Sequence, residues 1–152
     1  MSVKLLGLLG LAAAALAASA GAAQAKFVHF TTPSGNIDCI GSTTAPVFVS
    51  CLVQKATWPR KPPRPASCDL DWSPTEVSIT QRRLSVGACR GDVGPLCGPV
   101  SSGLGCSTLG YGRGVDIGPI RCTSATTGVT CRYRAKLRVG FLVARERYVL
   151  FR

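Results

Sequence analysis

The sequence offers few residues for nucleophilic chemistry. His29 is the only histidine, so any Ser-His-Asp or Cys-His arrangement would have to be built on it. It falls in a short alternating stretch, where a half-buried strand histidine is the simpler reading. Asp69 and Asp71 make the better enzymatic pair. Two residues apart on a β-strand, they would project from one face a few ångström from each other. Carboxylates held that close can share a proton, which is the condition for glycosidase-type acid–base work and makes an exported hydrolase one reading. The alternative is a solvated face neutralised by some of the thirteen arginines. Two oxygen donors fall well short of a calcium shell, no Cys-x-x-Cys occurs, and no metal or cofactor is expected.

The strongest interaction signal is cationic. Arg132, Arg134, Lys136 and Arg138 alternate with Cys131, Tyr133, Ala135, Leu137 and Val139. Period two would place the four cations along one face of a strand or hairpin, joined by Arg145 and Arg147. Such a ladder repels itself unless an anion or the protein's own acids neutralise it. It therefore points to phosphate or carboxylate groups, as on anionic envelope lipid or polysaccharide. A wet face that guards a sheet edge is the plain alternative. Aromatics do not interleave with the charges as a single-strand nucleic-acid reader requires, so no specific nucleic acid is expected.

The elements that would position these residues follow from the rest of the 152-residue chain. Leu5–Ala18 is apolar, Lys4 precedes it, and Ala23-Gln24-Ala25 fits a small-x-small cleavage site. Residues 1–25 read as a secretory signal peptide, too short and wrongly flanked for a transmembrane helix. Residues 26–152 read as one secreted or periplasmic domain, and no cysteine stands at its start to carry a lipid. All eight cysteines lie in that domain, an even number in an oxidising compartment, so four disulfides are expected and no thiol is left as a nucleophile. Sequence leaves their connectivity open. The simplest proposal joins neighbours: Cys39–Cys51, Cys68–Cys89, Cys97–Cys106 and Cys122–Cys131. Each would contribute about 2–4 kcal/mol by restricting the unfolded chain. The net charge of +11 favours anionic partners but also serves solubility alone.

Strand periodicity runs through Lys26–Thr31, Ile37–Gly41 and Pro46–Gln54, with Pro33-Ser34-Gly35-Asn36 as a dense turn. Trp58-Pro59-Arg60-Lys61-Pro62-Pro63-Arg64-Pro65 excludes helix and central strand. It reads as a stiff polyproline II connector anchored in the core by Trp58. Glu76–Thr80 and Arg83–Val86 are short strand candidates. Eight glycines between Gly91 and Gly114 predict a loop, without the Gly-x-x-x-x-Gly-Lys-Ser/Thr pattern of a phosphate site. Strands resume over Val115–Thr123, Gly128–Arg134, Leu137–Ala144 and Arg147–Phe151. No stretch of the domain shows helical periodicity. The expected fold is all-β, a small disulfide-stapled sandwich or barrel-like domain.

Several segments together resemble a family of small cysteine-rich secreted bacterial domains of unknown function. They are Pro33-Ser34-Gly35-Asn36-Ile37 with Cys39, Trp58 with Pro62-Pro63-Arg64-Pro65, and Cys68-Asp69-Leu70-Asp71-Trp72. Gly87-Ala88-Cys89 with Asp92, Leu109-Gly110-Tyr111-Gly112, Cys122 with Gly128-Val129-Thr130-Cys131, and Gly140-Phe141 with Ala144-Arg145-Glu146 and Tyr148 continue the series. The resemblance implies a disulfide-stapled secreted β domain and no particular activity. Against it, Cys97 and Cys106 look like an extra pair, and the stretch between Cys131 and Gly140 is more basic. The reading is a non-enzymatic, envelope-associated binding module. An exported hydrolase, or an inhibitor of a protease or lysozyme using the Gly91–Gly114 loop, is the alternative.

Overall fold

A computed structural model describes residues 26–98, 105–135 and 139–152; the expected signal peptide over residues 1–25, Lys136 and Arg138 lie outside the described residues. The fold is all-β, as the periodicity predicts, and consists of two sheets. In the first, β1 (Phe27–Thr31), β2 (Ile37–Ser42), β3 (Phe48–Val53), β4 (Asp71–Thr80) and β5 (Arg83–Arg90) form an antiparallel meander. The short β6 (Ser107–Thr108) returns to the other edge and pairs parallel to β1. The second sheet is a meander of β7 (Gly114–Ile117), β8 (Ile120–Ala125), β9 (Gly128–Tyr133), β10 (Gly140–Val143) and β11 (Tyr148–Phe151).

The inner faces of both sheets meet in one apolar core. Phe30, Val49 and Ile79 come from the first sheet; Ile117, Val129 and Phe141 come from the second. A matching hairpin lies in each. Ile37-Asp38-Cys39 on β2 and Val49-Ser50-Cys51 on β3 bring Cys39 opposite Cys51, and Ile120-Arg121-Cys122 on β8 and Val129-Thr130-Cys131 on β9 bring Cys122 opposite Cys131. In both, the isoleucine, valine and two cysteines point inward, so Cys39–Cys51 and Cys122–Cys131 are buried cross-strand bridges with Cα atoms 4.1 Å apart. At Gly41 the sheets approach so closely that a Cβ would stand 2.8 Å from the Ile117 side chain. Cys68–Cys89 ties the end of the proline-rich segment to β5, and Cys97–Cys106 closes the glycine-rich loop. The neighbouring cysteines are thus the ones joined.

The proline-rich segment is held at both ends. Trp58 is buried beside Tyr148 and donates its indole N–H to the Ala144 carbonyl at 2.8 Å. Trp72 donates to the Pro62 carbonyl at 3.1 Å, and Arg64 reaches the Cys68 carbonyl through Nε and Nη2.

Two strand expectations change. Val115–Thr123 is not one strand but the hairpin β7–β8, because Gly118 takes φ +55° and Pro119 has no N–H to continue a ladder. The strand before Thr80 starts at Asp71 instead of Glu76, with an irregularity between Ser73 and Val77 that accommodates Pro74.

One buried polar group in the core lacks a partner. Ser124 is 1 % exposed on the inner face of β8, and its hydroxyl has no hydrogen-bond partner among the described residues. Since an unsatisfied buried hydroxyl is a cost, Ser124→Ala is expected to be neutral or stabilising by up to about 1 kcal/mol in chemical denaturation. A loss above that size would show that the hydroxyl is satisfied in solution.

Candidate functional site

The arginines come together through strand pairing. On the outward face of the second sheet one row runs Asp116, Arg121, Arg132, Gly140 and Phe151 across five strands. Arg121 and Arg132 stand directly opposite each other on β8 and β9. Two like charges so placed repel, and the row relieves this at both ends. Asp116 accepts a hydrogen bond from Arg121 at 3.0 Å and lies 3.4 Å from the Arg134 guanidinium. Arg132 lies over the Phe151 ring, 3.6 Å from its centroid. Gly140 makes that contact possible, because a Cβ there would press to 2.7 Å from the Arg132 side chain. Among the described strand residues of this face Asp116 is the only acid.

This differs from the expected ladder. Strand β9 ends at Tyr133, so Arg134 lies beyond it, its backbone N–H bonded to the Pro119 carbonyl. Arg132 and Arg134 do not continue as one strand, and Lys136 and Arg138 fall outside the described residues. Arg121 is the cation that sequence reasoning missed. The matching Ile-x-Cys and Val-x-Cys halves of the β8–β9 hairpin would have set the register and placed it.

The outward face of the first sheet is different, because loops cover it. There Thr31, Asp38, Leu52 and Glu76 form a cross-strand row in which Asp38, Leu52 and Glu76 are buried. Asp38 accepts from the Thr31 hydroxyl at 2.8 Å and from the Gln54 amide at 2.7 Å. Glu76 accepts from Ser50 at 2.6 Å and from Arg90 Nε at 2.9 Å. Arg90 also donates to the Asp92 and Gly94 carbonyls, which binds the start of the glycine-rich loop to the sheet. Both carboxylates are fully engaged by protein groups, and their role is structural. The described parts of the 91–114 loop are likewise tied down, by Arg90, by Cys97–Cys106 and by β6.

Asp69 precedes β4 while Asp71 is its first residue, opposite Arg90, so the two do not share a strand face. Both are exposed, and neither lines the cleft at the end of the sandwich. His29 points outward from β1, with Nδ1 buried and without a partner among the described residues. The Ser107 hydroxyl donates to the His29 backbone carbonyl at 3.3 Å and not to the ring. Among the described residues no group of three or more His, Cys, Asp or Glu side chains could hold a metal.

A cleft of about 610 Å³ opens at one end of the sandwich, where five connections converge. The β1–β2 turn brings Ser34 and Asn36, the end of β3 brings Gln54 and Lys55, and the turn before β7 brings Tyr111. Thr126 and Thr127 come from the β8–β9 turn, Arg145 and Glu146 from the β10–β11 turn. Its walls are fixed by backbone hydrogen bonds. The Asn36 carbonyl and side-chain oxygen accept from the Gln54 and Lys55 N–H groups at 2.9 and 2.8 Å, and Thr57 N–H donates to the Arg145 carbonyl at 2.7 Å. Four segments singled out in the sequence, around Pro33–Ile37, Leu109–Gly112, Gly128–Cys131 and Ala144–Glu146, meet here although 111 positions of numbering separate the first from the last.

The chain belongs to a family of unknown function, DUF6636, whose model matches residues 8–151. No curated protein and no solved structure gives a match. Four disulfides fit an oxidising compartment. Among the described residues no helix is long and apolar enough to cross a membrane.

Proposed function

We propose that this member of the family is a secreted or periplasmic binding module, non-enzymatic, that attaches to anionic groups of the cell envelope through the outward face of its second sheet. The supporting observation is the placement of Arg121 directly across from Arg132, with Arg134 beside them and Asp116 as the single acid among the described strand residues of that face. Arg121 and Arg134 share the one carboxylate of Asp116, which leaves positive charge on a sheet face whose neighbouring described row holds threonines and apolar residues such as Leu142 and Val149. Lys136 and Arg138 follow Arg134 in the sequence and add to the local positive charge. The shared ligand chemistry is phosphate or carboxylate, from acidic lipid or acidic polysaccharide. A buried catalytic pair is not needed for this reading.

The test is binding of the oxidised protein to vesicles with and without acidic lipid, and separately to an acidic polysaccharide, across a salt series. Binding is expected to weaken steeply with salt, because exposed charge pairs are screened. Arg121→Gln with Arg134→Gln should cost about 1 kcal/mol per charge removed, and Lys136→Gln with Arg138→Gln a comparable amount. The arm that retains binding identifies the source of the anion. No binding in either arm, or binding indifferent to salt and to both double variants, would remove the arginine face from the functional account.

A further inference from the structure

We propose that the cleft at the end of the sandwich binds a short acidic oligosaccharide. Four observations carry this, and none depends on the arginine face. Its volume of about 610 Å³ lies within the range of small-molecule sites. Its lining includes groups that both donate and accept hydrogen bonds, namely Ser34, Asn36, Gln54, Thr126 and Thr127; Asn36 Oδ1 already accepts from Lys55 N–H and Gln54 Nε2 donates to Asp38, which fixes both side chains and leaves their other amide atoms for a ligand. Sugar hydroxyls require that mixture, whereas a phosphate would be met by donors alone and an apolar side chain by an apolar wall.

Tyr111 adds a flat, amphipathic ring, 43 % exposed at the cleft, on which the apolar face of a pyranose can stack with the phenol within reach of its hydroxyls. Charge narrows the class further. Lys55 and Arg145 line the cleft against one acid, Glu146, so a carboxylate-bearing sugar is favoured over a neutral one. The walls are already built. Trp58 holds the Ala144 carbonyl, Thr57 holds the Arg145 carbonyl, and Asn36 locks the β1–β2 turn to the end of β3. The buried bridges Cys39–Cys51 and Cys122–Cys131 staple the hairpins that carry two of the rims. Little ordering would remain to be done on binding, which is what a site for weakly held polar ligands needs.

The probe is a short oligogalacturonide, with its methyl-esterified form as the uncharged counterpart. Titration into the oxidised, ¹⁵N-labelled Arg121→Gln/Arg134→Gln protein removes competing attachment to the sheet face. Shifts are expected at the amides of Gly35, Thr126, Thr127 and Arg145. Tyr111→Ala, at an exposed position, should weaken binding about tenfold. Lys55→Gln with Arg145→Gln should weaken the acidic probe about fivefold and leave the ester unchanged. Absence of binding, shifts located elsewhere, binding that survives Tyr111→Ala undiminished, or equal binding of acid and ester would each overturn the proposal. Binding seen only with the arginine face intact would assign the sugar to that face instead and leave the cleft without a ligand.

Discussion

Replacing Trp58 with alanine is expected to destabilise the protein by about 3–5 kcal/mol, the range for deleting a buried large aromatic side chain. Trp58 is 5 % exposed, packs with its ring tilted 56° against Tyr148 at 4.8 Å between centroids, and donates its indole N–H, its only side-chain donor, to the Ala144 carbonyl. Alanine would leave a cavity between the proline-rich segment and β11 and strand that carbonyl. Trp58→Phe separates the two contributions. It keeps most of the apolar contact and loses the N–H, so it should cost about 1–3 kcal/mol. Guanidinium denaturation with the disulfides intact measures both, and the order wild type, Trp58→Phe, Trp58→Ala is the expected result. A cost below about 1 kcal/mol for alanine would mean that the segment is not anchored by this residue. Because Trp58 also holds the β10–β11 turn, the alanine variant should disturb Arg145 and Glu146 and with them one wall of the cleft.

The second large effect is expected at Arg90. Its guanidinium faces Glu76, whose side chain is 6 % exposed, and removing it leaves a carboxylate in a covered site with Ser50 as its remaining donor among the described residues. Breaking a buried pair from one side costs about 3–5 kcal/mol. Arg90 is itself 27 % exposed, which places the cost of Arg90→Met toward the lower figure. The double variant Arg90→Met/Glu76→Gln tests the cause. If the penalty is an uncompensated charge, removing that charge should recover 1 kcal/mol or more relative to Arg90→Met, at about the scale of coupling between neighbouring residues. No recovery would mean that Arg90 acts through its bonds to the Asp92 and Gly94 carbonyls, as a clasp on the loop. Proteolysis of the 91–98 segment would then rise equally in both variants.

The sequence shows some of this plainly and hides the rest. Period-two alternation identifies β1, β2, β3 and β9 because each has one face in the core and one outside it. The neighbour pairing of cysteines is accessible for a related reason. In a meander, consecutive strands are partners, so Cys39 meets Cys51 and Cys122 meets Cys131 across a single turn. The hairpin hidden in Val115–Thr123 carried its own sign, a Gly-Pro turn between two apolar residues, that apolar periodicity alone passes over.

The candidate sites were legible only in part. Arg132 and Arg134 were identified, but Arg121, their cross-strand neighbour, depends on a register that the turn at Thr126-Thr127 fixes. Alternation marks Asp38 and Glu76 as outward, and outward ordinarily means wet. Their burial follows from loops folding over that sheet, a fact of tertiary packing. The cleft is wholly of this kind. Its residues belong to five connections, each of which reads alone as an ordinary polar turn. By itself the sequence determined the all-β class and which residues of β1, β2, β3 and β9 share a face, and it made neighbour pairing the simplest of the open cysteine connectivities, because these rest on spacings of two residues and on contacts one turn apart. Which outer face stays open, which cations oppose each other and which turns share a rim were decided by sheet order and the packing of the two sheets, since those bring together residues that no local pattern connects.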